Sequence, residues 1–248
     1  MRPPLLSGEI ERRLLLNYAV DPAVIAKVLP PPFRPQLVRG HAVAGICLIR
    51  LSHMRPKGLP AAVGLRSENA AHRIAVEWDT PTGVRSGVYI PRRDSNSLVN
   101  IFVGGRAFPG VHYRAHFEVT ETEESVRVSL VALDGATRVL ADVAITPTLS
   151  SELFDGLADA SAFFERGCDG YSATRQPGRF DGLELVTDGW KVEAASITES
   201  ASSFFDDPTS FPPGSASVDC ALLMRKIPVH WKALPSLDVT TPAPPTSR

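Results

Sequence analysis

A chain of 248 residues, 44% apolar and 21% charged, can bury a sizeable core as one large β-rich domain or two small ones. Its formal net charge of −1 excludes the concentrated basic excess that nucleic-acid or membrane-surface binding needs. The basic residues are nearly all arginine. Lysine stands only at positions 27, 57, 191, 226 and 232, so an amine nucleophile has few sources.

Taken in chain order, period-two segments dominate. "EIERRLLLNYAV" (9–20) reads as a strand ending at Asp21-Pro22, a cap followed by proline at the first helical position. The short helix "PAVIAKVLP" then stops at Pro30-Pro31-Pro32, and "HAVAGICLIRLSHM" (41–54) follows as a long apolar strand. Strands 69–80 and 85–93 flank the turn Pro81-Thr82-Gly83. Residues 94–108 predict a short helix capped by Asp94 or Ser95 and ended at Gly104. Strands 111–121, 125–134 and 138–147 come next, the last two joined by the hairpin signal Asp134-Gly135. In 151–167, Leu157, Ala160, Phe163 and Phe164 recur near helical spacing. "LELVTDGWKVEAASITES" returns to strand, and "SASVDCALLMRKIPVHWKAL" is a terminal strand or strand–helix element. Residues 1–235 form one domain, and the proline- and threonine-rich 236–248 are expected to be disordered. The fold class is α+β, β-dominated, with a few short helices.

Cys47, Cys168 and Cys220 include no Cys-x-x-Cys pair, which argues for free thiols in a reducing compartment rather than a zinc ribbon or redox site. "MRPPLLSGEIERR" has no apolar stretch long enough for a signal peptide, and no later run reaches membrane-span length. The expectation is a cytoplasmic protein without a membrane or nucleic-acid partner.

Two stretches carry a family resemblance. "NYAVDPAVIAKVLPPPF" (17–33) resembles the opening of the acetoacetate decarboxylase-like superfamily. "LADASAFFERGCDGYSATRQPGRFDGLEL" (157–185), with "DGWKVEAASI" after it, resembles the middle of the YqjF-like family within that superfamily. The resemblance implies an antiparallel sheet curling around a cone-shaped β-barrel that holds a small-molecule pocket. It also implies a Schiff-base lysine just after a Tyr/Phe-Pro step. Here the step is Phe108-Pro109 and the next residues are Gly110 and Val111, neither of which can form an imine. Decarboxylase activity is therefore not expected. By the same resemblance the pocket arginine falls on Arg12 or Arg13, and a pocket glutamate on Glu68.

In "VHYRAHFEV", His112, Arg114 and His116 share one strand face, opposite Val111, Tyr113, Ala115, Phe117 and Val119. The polar row either meets water or lines a pocket, and because the apolar face must pack on something, the inward direction is expected for the polar one. Arg85, Gly87 and Tyr89 offer a second polar row. His112 and His116, roughly 13 Å apart along a strand, cannot share one metal ion. Glu68 and His112 are the acid–base candidates. Arg12, Arg13, Tyr89, Arg106, Arg114 and His116 are the candidates for holding a ligand. That ligand is expected to be anionic or to contain a carbonyl, with no cofactor. The rival readings are a non-catalytic carrier or sensor and a homo-oligomeric module pairing through a sheet edge.

Overall fold

The computed structural model describes residues 6–98 and 109–239. Thirteen strands form one sheet. They are β1 (Leu6–Val20), β2 (Arg34–Pro35), β3 (Leu37–Val38), β4 (His41–Pro56), β5 (Leu65–Thr80), β6 (Gly83–Ser95) and β7 (His112–Glu121). They continue as β8 (Ser125–Ala132), β9 (Arg138–Thr146), β10 (Asp169–Ala173), β11 (Arg179–Val186), β12 (Glu193–Ser202) and β13 (Ala216–Asp238). Helices α1 (Pro22–Val28) and α2 (Leu157–Arg166) interrupt them.

Local chemistry sets the breaks. Asp21 caps α1 by accepting from the Ala23 amide at 2.7 Å, with Pro22 in the first turn. The β5–β6 hairpin closes at Gly83, whose φ of 125° only glycine tolerates easily, and the Thr80 hydroxyl donates to its carbonyl at 2.7 Å. Asp134 accepts from the Ala136 amide between β8 and β9, again with a left-handed glycine, Gly135.

The sheet curls and is mixed. Its ladders are antiparallel except where β6 runs parallel to β7 and to β10. β11 pairs with both β10 and β13, so the pairings close a ring through β13, β1, β4, β5, β6, β10 and β11. The β7–β8–β9–β12 stretch forms a second path between β6 and β13. Alternation divides the shared strands. Leu14, Leu16 and Tyr18 of β1 join the large core under β8 and β9, with Val128, Leu130 and Val143. Leu15 and Ala19 of the same strand face the opposite way, toward Ala160 and Phe164 of α2.

Two elements differ from the sequence reading. Asp94 and Ser95 are fully buried residues at the end of β6, not helix caps, and the expected helix from residue 99 to its end at Gly104 lies outside the described residues. The C-terminal element is a continuous strand. It runs through Ser236, Leu237 and Asp238, held by the Arg179↔Asp238 pairing, so these three residues of the expected disordered tail are ordered.

Candidate functional site

Each strand of the closed ring contributes to a cavity of about 140 Å³. Arg13 comes from β1, Cys47 from β4, Ala71 and Arg73 from β5, and Arg93 from β6. Gly170 of β10, Leu183 of β11 and Trp231 of β13 complete the wall, joined by His112 at the start of β7 and Cys168 after α2.

Its electrostatics are lopsided. Arg73 is 4% exposed, with its guanidinium over the Phe164 ring at 4.6 Å. One of its terminal nitrogens donates to the Asn17 side-chain oxygen, while Nε has no hydrogen-bond partner among the described residues. Arg93 Nε donates to the Ser172 hydroxyl at 3.3 Å. Arg13 Nε donates to the Cys47 sulfur at 3.3 Å, and its guanidinium lies 5.8 Å from the Trp190 ring. Burial pushes Arg73 and Arg93 down to about 10, which leaves both cationic at neutral pH. None of the three forms an ion pair among the described residues, and residues 1–5, 99–108 and 240–248 contain no Asp or Glu. Asp94 also lines the cavity, but its carboxylate is taken by Arg92 at 2.8 Å.

His112 is Arg93's partner in the parallel β6–β7 register. Burial and then the Arg93 charge lower its imidazole to about 3, so the ring is neutral at physiological pH. Among the described residues no three His, Cys, Asp or Glu side chains converge as a metal site would need.

Of the residues singled out in the sequence, Arg13 and His112 line this cavity. The inward direction expected for the whole polar row does not hold. Arg114 and His116 are exposed, while Ala115, Phe117 and Val119 turn to the core under β8, so the row leaves the cavity after His112. The apolar face takes the interior because burying it is favourable, whereas burying Arg114 without a partner would be costly.

Arg12 faces away from the cavity. It is fully buried and bonds the Glu68 carboxylate at 2.6 Å, with Glu121 at 3.5 Å. Arg50 donates to the other Glu68 oxygen at 2.5 Å, so Glu68 is held by two guanidiniums as a structural anion. His72, four residues along β5 from Glu68, packs against the Phe204 ring at 4.9 Å. The second polar row is filled as well. Arg85 pairs with Asp169 at 2.8 Å, and a side chain at Gly87 would collide with the Asp169 carbonyl. Tyr89 packs tilted against Phe33 and edge-to-face against Phe180. Arg106 lies outside the described residues.

Gly110, where the resemblance would put the lysine, has a φ of 82°, and a Cβ built there would lie 2.7 Å from Ser172 Cβ and 3.8 Å from Arg93 Nε. Val111 is 46% exposed. None of the five lysines lines the cavity.

Arg73 and Arg93 were not singled out from the sequence, and Cys47 was read there only as a free thiol. The one signal was in β5, where Arg73 stands between Ala71 and Ala75 on the same strand face; small neighbours leave room around a guanidinium.

The fold is shared with solved structures of low sequence identity. Acetoacetate decarboxylase from Legionella pneumophila subsp. pneumophila str. Philadelphia 1 superposes with a TM-score of 0.60 at 14% identity, over 97% of this chain and 88% of that one. The enduracididine biosynthesis enzyme MppR, complexed with pyruvate, gives 0.58 at 12% identity over 94% and 91%. An acetoacetate decarboxylase-like enzyme from Sphingomonas wittichii RW1 gives 0.58 at 11% over 97% and 94%. No curated protein matches the sequence significantly. The profile of DUF2071, described as an uncharacterized conserved protein (COG2071), matches residues 8–215. The acetoacetate decarboxylase-like fold with this match places the chain in the DUF2071 (YqjF-like) family.

Proposed function

We propose that the protein binds a small carboxylate, with or without a neighbouring carbonyl, in the ring cavity, and acts on it without a Schiff base. One observation carries this reading: three guanidiniums, Arg13, Arg73 and Arg93, line a single cavity with no ion pair to any described carboxylate. A buried cation is normally paired, so the buried Arg73, with half-buried Arg13 and Arg93 beside it and no described carboxylate on any of the three, is an arrangement a bound anion would complete. The planar guanidinium fork suits a carboxylate held by two parallel hydrogen bonds.

His112 sits where it can hydrogen-bond a second polar group of the ligand. Lowered to about 3 beside Arg93, its imidazole stays neutral and can give or accept a hydrogen bond, but it is too weak a base to hold a proton near neutral pH. The apolar remainder of the wall, Leu51, Val88, Ile90 and Leu183, limits water and keeps the local dielectric low, which strengthens these contacts. That MppR has been seen with pyruvate supports a small oxo acid as the class to try first.

Calorimetric titration with malonate and pyruvate tests the reading. Saturable binding that weakens about tenfold or more in Arg93→Met is expected, the loss of one charge-assisted hydrogen bond being worth about 1.5–3 kcal/mol. Binding of neither anion, or equal binding by the variant, would refute it.

A further inference from the structure

The cavity contains no lysine, yet it contains a thiol in a cationic setting. We infer that Cys47 is the nucleophile of this pocket, directed at a small carboxylate that bears an electrophilic carbon next to the carboxyl group. This inference rests on the anion reading above and adds to it the reacting atom.

The geometry distinguishes Cys47 from the other two thiols. Its sulfur accepts the Arg13 Nε hydrogen bond at 3.3 Å, and Arg73 and Arg93 line the same cavity. The guanidiniums that would hold a carboxylate thus share one cavity with this sulfur, so an anionic electrophile is drawn toward it. Cys168 instead donates its S–H toward the Phe164 carbonyl at 3.7 Å, and burial pushes its thiol up. Cys220 lies outside the cavity lining and is pushed up to about 12 by burial and the adjacent Asp219.

A second feature points to the ligand independently of the thiol. Arg73, almost fully buried, lines the same cavity with Nε unpartnered among the described residues. A carboxylate held by Arg73 and Arg93 brings its neighbouring carbon into the space that Cys47 borders. With a 2-oxo acid, the sulfur–carbon bond forms as the carbonyl π pair moves to oxygen. The proton that leaves the thiol ends on that oxygen, so the addition needs no oxidant, reductant or further reactant.

Charge-selective alkylation of the wild-type protein tests this. Iodoacetate and iodoacetamide both transfer a carbon to sulfur with loss of iodide, and only iodoacetate carries the carboxylate. Each is added near neutral pH together with glutathione as an internal reference, and the labelled cysteines are mapped by peptide mass spectrometry. Cys47 is expected to show an iodoacetate-to-iodoacetamide rate ratio at least tenfold above that of glutathione, with malonate slowing the iodoacetate reaction. A ratio equal to that of glutathione, or labelling that reaches Cys168 first, would overturn the assignment. If malonate binds in the calorimeter while the ratio is flat, the thiol inference falls and the anion reading stands. If malonate neither binds nor protects, both fall.

Discussion

His112 and Arg93 are partners in the parallel register between β7 and β6, and both side chains line the same cavity. Strand β6 is where the two paths of the sheet diverge, one to β10 and β11 and the other to β7 and β8. The polar row of β7 therefore begins inside the ring at His112 and runs out to solvent at Arg114 and His116.

The first prediction concerns acidity. The His112 and His72 rings lie at about 3 and about 4, below the ordinary 6.5, chiefly because of burial. As pH falls through 6.5 the unfolded chain takes up protons that the folded chain refuses, so stability is full above that pH and lost below it. Between 6.5 and about 4 each ring should remove about 1.4 kcal/mol per pH unit. Asp94 and Asp169, raised by burial, act with the opposite sign and soften the slope at its acidic end. Urea midpoints measured from pH 7 to 5 should fall, and His72→Leu should flatten the slope. Midpoints independent of pH over that range would contradict this.

Glu68 is predicted to be a stability residue. In Glu68→Gln the buried Arg12 loses a charged partner, and unfolding free energy should drop by about 3 kcal/mol. Malonate affinity should stay within about twofold, because the Glu68 pair faces away from the cavity. A variant of normal stability that no longer binds the anion would reverse this assignment.

Arg114→Ala and His116→Ala should change neither binding nor, beyond about 0.5 kcal/mol, stability, since both side chains are exposed. Thermal melts and the malonate titration check both quantities on the same preparations. Loss of binding in Arg114→Ala would return the outer part of the row to the site.

Borohydride reduction in the presence of pyruvate should leave the wild-type mass unchanged, because no lysine reaches the cavity. Gly110→Lys should not create the imine either. Its left-handed backbone and contact with Ser172 make a side chain there cost about 1–3 kcal/mol, visible as a lowered melting temperature. An adduct mapped to residue 110 in a variant of undiminished stability would show that the position remains competent.

Much of the strand order could be read from the sequence because it depends on local signals. The Asp21-Pro22 cap, the glycine turns at Gly83 and Gly135 and the alternation along β7 to β9 each act within a few residues. The site was less legible. Whether Arg12 or Arg13 faces a cavity depends on which side of β1 the ring closes, and alternation separates the two without saying which is which. The polar face of β7 was expected to point inward, but the apolar Ala115, Phe117 and Val119 had the stronger claim on the interior. Arg73, Arg93 and Cys47 come from three strands whose meeting is set only by the β4–β5 and β5–β6 ladders.

The central claim, an anion held by the unpaired arginines of the ring, is tested most directly by a crystal structure of the protein with pyruvate. The account predicts a pyruvate carboxylate about 2.7–3.1 Å from guanidinium nitrogens of Arg73 or Arg93, with its carbonyl carbon toward Cys47. Pyruvate bound outside the ring, or these arginines found in salt bridges that close the cavity, would contradict it.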